Sequence, residues 1–582
     1  MTRARVGAAL VAVLVLSGCS LHYPGGVRLA RSVPGGRQVS GAIQVQPPGP
    51  QQGAPPDQVV SGFLDAESDP DRSHAIARSF LVPERRSGWD DAAGVLVYDL
   101  NTRTLVQDDQ DPGKIVMTAD LLGRIDRSGA YTAYDPGQTV RETYHLRLVG
   151  TTWGIEALPQ GLRLSPGQRD RSYRWQSVYF LSHSYGETSD HPHLVADPVF
   201  LPVALDPAQF LVSRLLAGWS SGLGGGAVET AVPPGTSLRS PVTTAGGTVT
   251  VDLAMGNCQL STSVGQHLSA QLVWTLRELG PSFLRLALLC RGRPLAVEGA
   301  SSVQDRGTWA DYDPDALGGR AQGYYIDQRS VRALDGAVTG GPASDGRQPV
   351  DAAAVSPGSS LALLTVEGGS TVLRTGPLLG PTYAIRLRQP GLSSPSWGSG
   401  EQGVWLLENG PVSTVLLAPN RPDVAPRPVH VEGVPGLGKL RSLRVSRDGA
   451  RIALVAGPDD DPRLYLGRIE PRGPGGVEVA GLRVVVGLHD VHGVAWDTGR
   501  SLVALGRVGA IGPLPVRVAV DGSSVVRIVR QGLEQVQPTS VTAAPALPVI
   551  VGALAGGQDR LFRDNGAVFA ALGPGRAPFY PG

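Results

Sequence analysis

Beyond about Gly318 the chain repeats itself: a short apolar run, a tight turn and a second apolar run recur five times. Ala354-Val355 leads through Ser356-Pro357-Gly358 into Leu361-Ala362-Leu363-Leu364, and Leu392 leads through Ser393-Ser394-Pro395-Ser396-Trp397 into Val404-Trp405-Leu406-Leu407. Residues 443–455 (LRVSRDGARIALV) form the clearest copy. Val494-Ala495-Trp496-Asp497-Thr498-Gly499 precedes Leu502-Val503-Ala504-Leu505, and residues 541–554 carry a weaker version. The copies lie roughly 40 to 50 residues apart, the spacing of propeller blades. Such a unit is a small antiparallel sheet whose faces are buried only by its neighbours, so the ring has to close. Tyr324-Tyr325-Ile326 and Val331-Arg332-Ala333-Leu334 are expected to supply strands that seal it with the chain's end. Five blades fit the markers and six or more stay open, with a pair of β-sandwiches as the competing arrangement.

Ahead of this region helices alternate with strands. Residues 57–67 and 69–81 read as short helices with Asp near their starts, the second ended by Pro83. Strand-like runs follow at 94–99, 114–121, 130–134, 139–148 and 153–158. A second unit opens on Val178-Tyr179-Phe180-Leu181, continues through a strand near 195–205, and has a helix from Pro207 to Leu216. Within it residues 247–254 and 282–289 read as strands, and 263–280 between them as a helix with Leu268, Leu272, Leu276 and Leu279 on one face. A strand-helix-strand crossover makes those strands parallel. The expected fold class is multidomain, two α+β domains followed by an all-β propeller, with boundaries at 57–174, 175–300 and 318–582. The 77 glycines and 48 prolines, spread along the chain, suit many short turns.

The first residues bear on location. Arg3 and Arg5 precede an apolar stretch over 6–16 that closes on Leu16-Ser17-Gly18-Cys19. The stretch is well short of the ~20 residues a spanning helix needs. This is the pattern of a bacterial lipoprotein signal: residues 1–18 are removed, and Cys19 carries S-diacylglycerol and an N-acyl chain such as palmitate. The expected location is the extracytoplasmic face of the cell membrane, held by that lipid. Residues 19–56, with Pro47-Pro48-Gly49-Pro50 and Pro55-Pro56, read as a solvated tether. With Cys19 spent on lipid, Cys258 and Cys290 are an even pair in an oxidising compartment. Both fall just beyond the same ends of the two expected parallel strands, so a disulfide is expected. The alternative is two buried thiols.

No motif in the chain carries a complete set of reactive or metal-binding groups. Gly218-Trp219-Ser220-Ser221-Gly222 matches a nucleophile-elbow pattern, but it follows a helix and enters a Gly-rich loop, the reverse of the strand-to-helix turn that motif needs. His191-Pro192-His193 and His489-Asp490-Val491-His492 each offer two metal ligands where structural zinc wants four. Asp108-Asp109-Gln110-Asp111 and Asp459-Asp460-Asp461 lack the spacing of a calcium loop. The net charge of +1 gives no electrostatic reason to expect nucleic acid. No catalytic residue, metal site or cofactor other than the lipid on Cys19 is expected.

The order of parts resembles the LpqB lipoprotein family of high-GC Gram-positive bacteria over nearly the whole mature chain. Its most specific stretch is similar to the GerMN domain, through Val178-Tyr179-Phe180-Leu181, Leu215-Leu216-Ala217-Gly218, Pro233-Pro234-Gly235-Thr236, residues 249–253 and Ala270-Gln271-Leu272-Val273-Trp274-Thr275-Leu276. Trp219 stands where many such domains have proline. The resemblance implies an accessory lipoprotein that binds the extracytoplasmic domain of an MtrB-type sensor histidine kinase and modulates two-component signalling in envelope homeostasis and division. The alternative is a scaffold binding peptidoglycan or another cell-wall glycan, for which Trp153, Trp175 and Trp219 are the candidate sugar-stacking aromatics.

Overall fold

The computed structural model describes residues 47–582 apart from 72, 184–192, 318–321, 337–338, 347, 388–393, 402, 410–412, 423 and 474. The signal, Cys19 and most of the expected tether lie outside the described residues, as does His191. No helix among the described residues is long and apolar enough to cross a membrane. The chain has a multidomain mixed α/β architecture that ends in a β-rich region.

The helix Pro56–Ala66 starts on a proline and buries Val59, Val60, Phe63 and Leu64, the single face that 3.6-residue periodicity gives. It packs on a seven-stranded sheet whose main path runs Thr152–Ala157, Thr139–Val149, Lys114–Ile125, Val95–Tyr98 and Leu162–Leu164. Only the last pairing, Val95↔Leu162, is parallel. The second expected helix is cut to Ala75–Ser79. Asp69 Oδ1 accepts the Asp71 N–H at 3.1 Å, and His74 has φ 44°, so the Asp-Pro-Asp segment turns before any helix begins.

The next core is built on Tyr173–Ser182 paired with Leu194–Pro202, and on Thr248–Ala254 paired in parallel with Arg285–Cys290. The crossover helix Thr262–Arg277 joins the latter two, with Leu268, Leu272 and Leu276 fully buried. Leu253 lies opposite Cys290 in the parallel register. The Cys258 and Cys290 sulfurs are within bonding distance, their Cα atoms 5.9 Å apart.

Five four-stranded antiparallel meanders follow, starting at Val350, Ser396, Leu440, His489 and Gln537. Four of the repeat markers are the first strand, turn and second strand of one meander; in the second marker Ser396–Trp397, expected in the turn, is itself the first strand, and Leu392 lies outside the described residues. A parallel contact, His430↔Glu478, joins the second and third meanders edge to edge. A three-stranded sheet completes the set: Tyr324–Asp327 pairs with Ser330–Ala333 and with Arg576–Phe579. The six units contact one another in a closed circuit. Val350–Val355 touches Ser396–Trp397, which touches Leu440–Val445, then His489–Thr498, Gln537–Thr542 and Arg576–Phe579; Tyr324–Asp327 returns to Val350–Val355. The sixth unit carries no local repeat signal because its strands come from residues 324 and 576, at opposite ends of the region.

Candidate functional site

The residues that the sequence offered for chemistry are occupied with structure. Ser220 follows the helix Pro207–Leu216 and donates through Oγ to Asp197 Oδ1 at 2.6 Å and through its N–H to Oδ2 at 2.7 Å. Arg214 approaches the same carboxylate at 3.5 Å. Burial holds Asp197 above the usual carboxylate range, with the Ser220 hydrogen bond and Arg214 pulling the other way. The serine proton is thus directed at a buried acid, and its turn does not lift it over a sheet.

Asp461 accepts His489 Nδ1 at 3.0 Å and the Asp490 N–H at 2.9 Å, while His492 pairs with Asp490 at 3.1 Å. Asp108 pairs with Lys114 at 2.7 Å, and Asp111 accepts the Gly113 N–H at 3.0 Å, closing a turn. Among the described residues no group of three or more His, Cys, Asp or Glu side chains is arranged to hold a metal. Of the three tryptophans, Trp153 packs against the first core, and Trp175 donates to Asp521 Oδ2 at 3.0 Å. Trp219 is 37% exposed and meets Phe180 edge-on at 5.8 Å.

The most developed polar site is the junction where the two α/β cores meet the ring. Glu278, just past the crossover helix, takes both Arg500 Nη1 contacts, at 2.9 and 3.2 Å, and the Tyr179 hydroxyl at 2.9 Å. The Arg500 guanidinium also lies 5.3 Å from the Trp175 ring. Arg169 donates to the Ser523 carbonyl at 2.9 Å while stacking 4.8 Å from Phe200. Arg451 donates to the Ala196 carbonyl at 2.6 Å, and Asp315 accepts the Gly499 N–H at 2.7 Å. Desolvation raises Asp315 to about 6, opposed by that hydrogen bond. Between these contacts lies a crevice of about 100 Å³ edged by Tyr131, Asp197, Ser220, Arg451, Arg468 and Asp521. Charge-assisted bonds in such partly buried places are stronger than their exposed counterparts. Chemically, the junction fixes orientation; it brings no acid, base and nucleophile together.

Sequence reasoning did not find this junction. Arg451 sits in the clearest repeat, but its partner lies 255 residues away, and nothing in local spacing encodes that.

Three family models match successive parts of the chain: the N-terminal domain of lipoprotein LpqB at 49–169, the sporulation and spore germination domain at 177–295, and the LpqB β-propeller domain at 329–569. The lipoprotein LpqB of Streptomyces coelicolor is 29% identical, over 99% of this chain and 97% of its own. That of Mycolicibacterium smegmatis is 31% identical, covering 70% of this chain and 71% of its own. That of Mycobacterium tuberculosis is 30% identical, over 87% of both. The family's lipoproteins are extracytoplasmic, membrane-associated and non-catalytic accessory proteins. The likeness runs through all three parts and most of the chain, and the protein accordingly belongs to the actinobacterial LpqB family of lipoproteins, with GerMN and β-propeller domains.

Proposed function

We propose that this protein is a lipid-anchored accessory subunit that binds the extracytoplasmic domain of an MtrB-type sensor histidine kinase and modulates two-component signalling in envelope homeostasis and cell division. In this reading Cys19 carries the diacylglycerol and acyl chains, residues 19–56 are the tether, and the body consists of α+β domains at 57–174 and 175–300 followed by a propeller at 318–582. The propeller has six blades, the last built from both ends of the region, and Cys258–Cys290 is a structural disulfide.

The observation that carries the proposal is the cross-braced junction of Glu278 with Arg500, Trp175 with Asp521 and Arg169 with Ser523, which ties three parts into one orientation. A rigid body with broad faces suits protein contact. A membrane tether raises its local concentration toward a membrane-bound partner. Signalling further requires unequal affinity for two kinase states. The glycan-binding alternative is left with Trp219 as its one solvent-facing aromatic of the three, since Trp153 and Trp175 are engaged in packing and bonding.

The test is capture of the kinase ectodomain by the full mature chain in detergent, together with regulator phosphorylation after depletion. Specific capture and altered phosphorylation are expected. Absence of both would reject the kinase reading, and co-sedimentation with purified cell wall in its place would favour the glycan one. Mass spectrometry of the native protein checks Cys19; an unmodified thiol there would remove the anchor.

A further inference from the structure

At the centre of the ring, Arg444 and Arg447 face one cavity of about 40 Å³. Its lining takes strand residues from five of the six units, among them Ala354, Trp496, Thr542 and Phe579, and Pro395 just ahead of the first strand of the remaining one, which places it on the ring axis. None of the lining side chains is acidic. Arg444 Nη1 donates to the carbonyls of Ser394 at 3.1 Å and Leu443 at 2.9 Å. Arg447 donates to the carbonyls of Pro581, Trp496 and Ala543 at 3.2, 3.1 and 3.4 Å. Every named partner of the two guanidiniums is a neutral carbonyl. Asp315, Asp448 and Asp497 act on Arg447 only through space, and Arg444 has no acidic group acting on it.

Two like charges three residues apart, both partly buried and turned into one space, are unfavourable unless a counter-charge joins them. Carbonyl dipoles and water satisfy N–H groups but supply no net negative charge. Burial accordingly pushes both guanidiniums down to about 10. A cavity of this size exceeds the ~10–15 Å³ that one water requires. It has no room for a sugar or nucleotide.

We propose that the axial cavity is a binding site for one small inorganic anion, of the chloride or phosphate class, held between Arg444 and Arg447. The anion would bridge the third meander to the chain's closing strand, since Arg447 already bonds the Pro581 carbonyl beyond it. Occupancy therefore couples to closure of the ring.

The test uses the full mature chain in detergent at constant ionic strength, replacing gluconate, too large for the cavity, by chloride in one arm and phosphate in another. A saturable rise of several degrees in the melting midpoint is expected in at least one arm, with a midpoint in the millimolar range or below; the responding arm identifies the anion. Arg444→Gln is expected to abolish the saturable rise, and Arg444→Lys, which keeps the charge but loses the fork, to weaken it at least tenfold. Arg447 is left intact because its three carbonyl partners lie in three separate stretches of the chain. Crystals soaked in bromide supply a second readout that needs no variant: an anomalous peak between the two guanidiniums. A flat response in both arms overturns the proposal, as does, where chloride is the responding arm, water alone in the cavity of the bromide-soaked crystal. An equal response in R444Q does so as well.

Discussion

Trp496 donates its indole N–H to the backbone carbonyl of Arg444 at 3.1 Å, across 52 residues of chain. Trp397 does the same to the Ala354 carbonyl at 3.3 Å, across 43 residues. In both cases the first strand of one meander is fastened to the first strand of the preceding one, so the tryptophan in the repeat marker is a joint between neighbours. Neither side chain is more than 5% exposed. Trp397→Phe is expected to cost about 1–3 kcal/mol for the carbonyl left without its indole donor. A further loss comes from the smaller ring. Urea unfolding followed by far-UV circular dichroism measures it, and a change below ~0.5 kcal/mol would show that the joint is not a stabilising one.

The proposed Cys258–Cys290 bridge closes a loop with a sequence separation of 32. It ties the end of one parallel strand to the loop after the other, and in the chain-entropy model it contributes roughly 3 kcal/mol. Cys258→Ser with Cys290→Ser is expected to lower the stability of the unmodified protein by that order. The same change should have no further effect once the wild type has been reduced. A melting series with and without reductant checks both statements; identical midpoints for oxidised and reduced protein would contradict the first.

Arg500→Ala removes the bifurcated contact of Nη1 with both Glu278 oxygens and the guanidinium near Trp175. It leaves Glu278 partly buried with only the Tyr179 hydroxyl. Loosening of the junction is expected, seen as faster limited proteolysis between residues 300 and 330 and as increased amide exchange in residues 497–523. Removal of one partner from a partly buried pair costs a few kcal/mol at most. Exchange that rises uniformly over the molecule would indicate general destabilisation instead.

The elements that the sequence disclosed are those with a local cause. The helices Pro56–Ala66, Pro207–Leu216 and Thr262–Arg277 each combine an apolar face with a start signal or a crossover position. The five meanders declare themselves by repetition, and the closing strand at Tyr324–Asp327 was legible as an apolar run ahead of the first repeat. Where side-chain bonding decides the backbone, periodicity misleads, as at Asp69 and Asp71. The helix Pro166–Ser172 is polar along most of its length and so invisible to periodicity, although its Ser165–Gln168 capping box was a readable signal. The junction and the axial cavity were illegible for a different reason. Arg451, Arg500, Arg444 and Arg447 are ordinary arginines in a chain with 52 basic Lys and Arg residues, and only the fold brings their partners within reach.

Glu67 links stability to pH. It is fully buried at the end of the first helix, where Oε2 accepts the Arg163 N–H at 2.7 Å and Oε1 has no hydrogen-bond partner. Desolvation pushes its carboxyl up to about 8, against the pull of the Arg163 guanidinium. In the unfolded chain the same group titrates near ~4.3. Between those values the folded state holds a proton that the unfolded state has released, so stability falls as pH rises, approaching about 1.4 kcal/mol per unit. Below the unfolded value this contribution is fully present, and above about 8 it has gone. Asp315, raised to about 6, adds a slope of the same sign over a lower window, which leaves pH 6 to 8 as the interval where Glu67 acts alone of the two. Glu67→Gln keeps an acceptor for the Arg163 N–H and carries no titrating proton. Between pH 7 and 8, above the range in which the lowered His74 and His193 titrate, urea midpoints for this variant are expected to stay level while those of the parent decline. Parallel declines in both would mean that the proton is held elsewhere.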